Sequence, residues 1–197
     1  MARTEASELR DGRALRSART RERLVEAVRA SVANGEDPTP ERIAKRAGVS
    51  ERTIFRLFRD LPGLWEAVRI QMAADLVGLI RVGTFQGDAR QRSRELVRRR
   101  ILIFETIAPY RRWVDAREVL YPAIRDGREA LDRALRSQTA EALASELVEG
   151  AAAIAPAIDS LLSYESWNYL RLGRGLGPRQ VATLLETAVL RLLAVPT

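Results

Sequence analysis

Cysteine and histidine are both absent from the 197 residues. Without cysteine there is no disulfide framework and no thiolate metal site. Without histidine the commonest metal ligand and the commonest neutral-pH general base are gone. Lysine is nearly missing too, with Lys45 the single one among 33 basic residues. Carboxylates, hydroxyls and that lysine remain for acid–base work, and no helix face pairs two carboxylates in a catalytic arrangement. The expectation is a protein that is not an enzyme and that holds neither metal nor cofactor. No run of 18 apolar residues occurs, so no membrane span is expected. The polar stretch Met1–Arg23 is unlike a secretory signal, which makes the cytoplasm the default location.

What is present is globular in balance, with 46% hydrophobic and 30% charged residues. The net charge is +7, which suits a polyanionic partner such as nucleic acid. The excess is uneven: residues 1–60 carry 14 basic and 10 acidic side chains, more than half of the net charge. Arginine forks onto phosphates and guanine edges in ways lysine cannot, although a genome rich in arginine codons would give the same bias.

Apolar residues recur at helical spacing throughout, and no strand pattern of comparable length appears. The fold expected is all-α with about nine helices: an N-terminal three-helix helix-turn-helix domain followed by a C-terminal helical bundle. Residues 1–17 read as a flexible basic arm or a frayed helix start, 18–62 as the helix-turn-helix domain, and 63–197 as the helical bundle. Helix one carries Leu24, Val25, Val28 and Val32, and Asn34-Gly35 stops it. Thr39 caps helix two, with Pro40 at its first position. Gly48 turns the chain, Ser50 caps helix three, and Asp60 caps helix four. Helix five carries Leu96 to Ile107, with a break at Pro109 and a short helix six through Trp113. Helix seven runs from Pro122 through Leu147. Helix eight carries Ile158 to Leu170, and Pro178 starts helix nine.

Pro40–Arg59, PERIAKRAGVSERTIFRLFR, carries the functional signal. Two short helices that meet at a steep angle need a small residue at the crossing, a positive-φ residue at the turn and an apolar plug after it. Ala44, Gly48 and Val49 answer these needs in order. Ile43, Ala47, Ile54, Leu57 and Phe58 form the inner face. Glu51, Arg52, Thr53 and Arg56 face outward, with sizes and charges suited to a major groove. A tight helical corner without a ligand is the plainer alternative.

The segment IAKRAGVSERTIFRLFRDLPGLWEAV resembles the DNA-binding signature of the TetR family of transcriptional repressors. The resemblance covers about Arg19–Val68 and is architectural beyond it. It implies a homodimer with an N-terminal DNA-reading head and a C-terminal ligand-binding and dimerisation domain. By the family's pattern, Thr39 donates to a phosphate, Ser50 sits at the recognition-helix cap, and Arg52, Thr53 and Arg56 face the groove. Phe55 stands where the family usually has a phosphate-binding tyrosine, and Leu61 where a lysine is common. Those two departures remove two phosphate contacts, for which Arg42, Arg46, Arg59 and helix N-termini are candidate replacements.

The implied function is a sequence-specific DNA-binding transcriptional regulator, a repressor released from a palindromic double-stranded operator by a small apolar or aromatic ligand. A constitutive DNA-binding helical protein without an effector is the alternative. Phe104, Tyr110, Trp113, Tyr121, Tyr164 and Trp167 all fall after residue 100 and are candidate pocket residues, with ordinary core as the competing reading. Val181, Leu184, Leu185, Ala188 and Leu192 give helix nine more apolar surface than one intramolecular contact needs, so a twofold four-helix interface is expected there. The run Arg90, Arg92, Arg94, Arg98, Arg99 and Arg100 reads as a solvated helix face, with a second nucleic-acid patch as the alternative.

Overall fold

Local capping chemistry sets several of the helix ends in the computed structural model, which describes residues 2–80, 85–115, 122–147 and 154–194. Among these residues every regular element is helical. In chain order they are α1 (Ala2–Ala33), α2 (Pro40–Ala47), α3 (Glu51–Phe58), α4 (Leu61–Ile80), α5 (Ala89–Asp115), α6 (Pro122–Ala142), α7 (Ala155–Leu161), α8 (Tyr164–Asn168) and α9 (Pro178–Leu192). α8 continues as a π-helical turn over Tyr169–Gly173.

Several elements differ from the sequence expectation. α1 is already helical from Ala2, in line with a helix start and not with a flexible arm, the two alternatives expected for residues 1–17. Pro109 does not break α5, so helices five and six are one element. Proline removes one N–H and crowds the preceding turn. Burial of Ile107 and Ala108 before it and an aromatic stack by Trp113 after it outweigh that loss. The expected helix seven ends at Ala142, before Leu147. The expected helix eight is two pieces, because the Ser163 hydroxyl accepts from the Ser166 N–H at 3.2 Å and restarts the chain as α8. The expectation of about nine is thereby corrected: eight described helices have seven residues or more, and α8 is a single five-residue turn.

The chain divides into two compact units. One comprises Met1–Ala74 with Arg112–Ile124; the other comprises Asp75–Arg111 with Arg125–Thr197. The boundary therefore falls inside α4, beyond the expected residue 62, and the end of α5 joins the N-terminal unit.

In the N-terminal unit α2 packs on both α1 and α3. Leu24, Val28, Ile43, Ile54, Leu64 and Val68 are fully or almost fully buried; burying each such side chain contributes about 1.5–3 kcal/mol. In the C-terminal unit the core is built from Leu96, Ile103 and Phe104 of α5, Leu143 after α6, Ile158 of α7, Trp167 of α8 and Val181, Leu185 and Val189 of α9. Among the described residues no helix is long and apolar enough to cross a membrane.

Candidate functional site

Thr39 opens α2 in extended conformation, and its hydroxyl accepts from the Arg42 N–H at 3.3 Å. α2 closes on Gly48 at φ 65°, a left-handed conformation that costs other residues steric strain. The Val49 N–H then donates back to the Ala44 carbonyl at 3.0 Å, which tightens the turn. Ser50 is the N-cap of α3 by backbone geometry, but its hydroxyl pairs with the Thr53 hydroxyl at 3.1 Å and leaves the helix N–H groups uncapped by a side chain. The Thr53 N–H donates instead to the Ser50 carbonyl at 2.9 Å.

α3 is amphipathic in the strict sense: Ile54 and Phe58 are buried, while Glu51, Arg52, Phe55 and Arg56 are exposed and Thr53 is half-buried. Phe55 is 43% exposed, a large aromatic held in solvent beside two arginines. Among the sequence candidates, Thr39 and Arg42 lie at the start of α2, and Ser50, Arg52, Thr53, Phe55 and Arg56 lie on α3 and its cap. Arg42 also donates to the Asp37 carbonyl at 3.2 Å. Arg46 is paired with Glu36 at 2.7 Å, which weakens it as a replacement phosphate ligand.

Two anchors of α3 were not read from the sequence. Arg21 of α1 donates to the Leu57 carbonyl and lies over the Phe58 ring, 4.4 Å from its centroid. Gly63 is the other. The Asp60 carboxylate accepts its N–H at 2.8 Å. A Cβ there would sit 2.3 Å from the Phe58 carbonyl oxygen, so any other residue would push α3 and α4 apart.

The aromatic candidates separate. Phe104, Tyr164 and Trp167 come together in the C-terminal unit, with ring centroids 5.4–5.8 Å apart, and all three are buried. Tyr110 is half-buried. Tyr121 lies outside the described residues. Trp113 belongs elsewhere: it stacks on Trp65 of α4 at 4.0 Å, and its indole N–H donates to the Asp37 carboxylate at 3.0 Å. All of these partners lie in the N-terminal unit, so Trp113 is not grouped with Phe104, Tyr164 and Trp167 and instead braces the segment that leads into Thr39.

The α9 candidates separate as well. Val181 and Leu185 are buried against the protein's own core, together with Val189 and Leu190, and are not surface available to a partner. The helical period puts Leu184, Ala188 and Leu192 on other faces. Leu184 and Leu192 are exposed, and Leu184 and Ala188 line an open hollow of about 630 Å³ with Arg179, Gln180, Thr183, Thr187 and Arg191. The Thr183 and Thr187 hydroxyls donate to the carbonyls of Arg179 and Thr183. Covering this face would therefore strand neither hydroxyl proton.

The arginine run on α5 is largely engaged. Arg92 is paired with Glu146, Arg94 with Glu186, and Arg98 and Arg99 with Glu95. The two guanidiniums beside Glu95 lower its carboxyl to about 2. Arg100 is 1% exposed and donates to the Gln138 amide oxygen, the Leu135 carbonyl and the Thr139 hydroxyl. Burial lowers its pKa to about 10, opposed by the charge of Asp159. The solvated-face reading holds for Arg94 and Arg98, whose side chains are exposed, and fails for Arg100, which is interior.

No family model, curated protein or solved structure matches the chain.

Proposed function

We propose that the chain is a DNA-binding transcriptional regulator of the TetR type. In this reading α2 and α3 form a helix-turn-helix, with α3 the recognition helix. The observation that carries the reading is the exposed face of α3: Arg52, Phe55 and Arg56 stand in solvent on a helix whose other side is pinned by Ile54 and Phe58. A rigid short helix that presents forked donors and an aromatic is what major-groove readout requires.

Arg52 and Thr53, in the first turn of α3, read base edges. Arg56 reaches a base or the flanking phosphate. Phe55 supplies apolar contact to sugar or a thymine methyl. Thr39 and the start of α2 hold the backbone, which fixes register without reading sequence. The protein works as a homodimer through the outward face of α9, centred on Leu184, Ala188 and Leu192, and so reads an inverted repeat. It represses, and a ligand in the C-terminal unit releases it. That ligand acts by its differential affinity for the DNA-competent and DNA-incompetent conformations, since nothing else shifts the equilibrium.

Selection of bound duplexes from a random pool tests this reading. The expected product is one enriched sequence with twofold symmetry. A pool that stays random after successive rounds would overturn it.

A further inference from the structure

The C-terminal unit holds buried hydrogen-bond donors that lack acceptors. The Arg100 Nε–H, the Ser93 hydroxyl and the Trp167 indole N–H have no partner, and the three residues are at most 2% exposed. Ser93 and Arg100 are seven residues apart on α5, so they share its inward face. Phe104 lies one turn beyond Arg100 on that face and packs against Trp167 at 5.8 Å. The three acceptors that Arg100 does use are neutral, and Asp159, the carboxylate whose charge favours the cation, makes no ion pair with it. A buried cation whose direct hydrogen-bond partners are all neutral is costly, and a carboxylate is a stronger acceptor than an amide, a hydroxyl or a carbonyl.

The geometry points to a binding site for an organic carboxylate inside the C-terminal unit, its anionic head on Arg100 and its apolar body along Phe104 and Trp167. This deepens the effector part of the proposed regulator: the ligand is an amphipathic acid, not a neutral apolar molecule. Its role as an effector rests on that reading, whereas its binding does not. Gln138 gives the site an outlet. It accepts from Arg100 and donates to the Leu79 and Ile80 carbonyls at the end of α4. A carboxylate that takes over Arg100 frees Gln138. That disturbs the end of the helix whose first turns, Leu61–Ala74, belong to the N-terminal unit.

The test uses matched probes: benzoate against benzamide, 2-naphthoate against 2-naphthamide, and decanoate against decanamide. Each is titrated calorimetrically into the full chain without DNA. At least one acid should bind about tenfold or more tightly than its amide, the difference expected when a charged hydrogen bond replaces a neutral one. Arg100→Met should abolish that preference with the helical circular dichroism intact. Arg100→Lys, which keeps the charge, should retain part of it and stands in if the methionine variant does not fold. Acids that bind no better than their amides, or a preference that survives in Arg100→Met, would overturn the site. DNA affinity is read separately. Acid binding that leaves it unchanged overturns the effector role alone, and acid binding by a chain that takes no duplex overturns the regulator reading and leaves the site standing.

Discussion

Arginine is used in two different ways on α3 and on α5. On α3, Arg52 and Arg56 extend into solvent from a helix fixed on its other side. On α5, four arginines of one dense run are tied to glutamates and Arg100 is interior. By composition alone the α5 run is the stronger nucleic-acid signal. By partners it is the weaker one, because a guanidinium held by a carboxylate must give up that bond to take a phosphate. Charge density in a sequence therefore says little until the acids that face it are known.

The sharpest way to break such a contrast is on α9, where inner and outer faces alternate. Leu185→Ala, on the inner face, should cost about 2–5 kcal/mol in urea unfolding. Leu184→Ala, on the outer face, should cost less than about 1 kcal/mol in the monomer and raise the dimer dissociation constant in sedimentation. If Leu184→Ala destabilises the fold as much as Leu185→Ala, the assignment of faces is wrong.

On α3 the comparison is between reading and holding. Arg52→Ala should lose about 1–3 kcal/mol of binding per half-site and relax preference at one base position. Thr39→Ala should weaken all duplexes alike. Titrations against cognate and single-base-variant duplexes check both, and a reversed pattern would invert the docking of α2 and α3.

Trp113→Phe keeps an aromatic on Trp65 and removes the hydrogen bond to Asp37. It should cost about 1 kcal/mol of DNA affinity by loosening the segment that leads into Thr39, with little change in helical content. An unchanged titration would mean the brace does not position α2.

The smallest effect belongs to the paired run itself. Glu95 is held down to about 2 by Arg98 and Arg99, below its ordinary 4.5. A depressed carboxylate stabilises the fold in full above its unfolded pKa and loses that contribution as pH falls from about 4.5 toward 2. Exposed pairs contribute at most about 1 kcal/mol. Glu95→Gln should thus lower the urea midpoint at pH 6 and make little difference at pH 2. A gap that persists at pH 2 would show that packing, not charge, is responsible.

What was legible in the sequence has short range. The Thr39 cap, the Gly48 turn, the Asp60 cap and the Pro178 start depend on neighbours within four residues, and each stands where expected. What was missed depends on partners far along the chain. Trp113 meets Asp37 across 76 positions, and Arg100 meets Gln138 across 38. Nothing near Pro109 reveals that α5 runs through it, because the compensation is tertiary. Val181 and Leu185 looked equivalent to Leu184 and Ala188 because a wide apolar helix shows how much surface it buries, not which side meets its own core. The exposed α3 face was readable as a pattern, but its anchoring by Arg21 and Gly63 was not.

The most direct measurement of the central claim is the salt dependence of binding to the duplex recovered by selection, for wild type and for Arg52→Ala/Arg56→Ala. Affinity should fall steeply with salt, with a log–log slope of about 0.9 per phosphate neutralised. The double variant should lose most of its sequence preference. A wild-type slope near zero, or a double variant that binds with unchanged affinity and slope, would contradict the account.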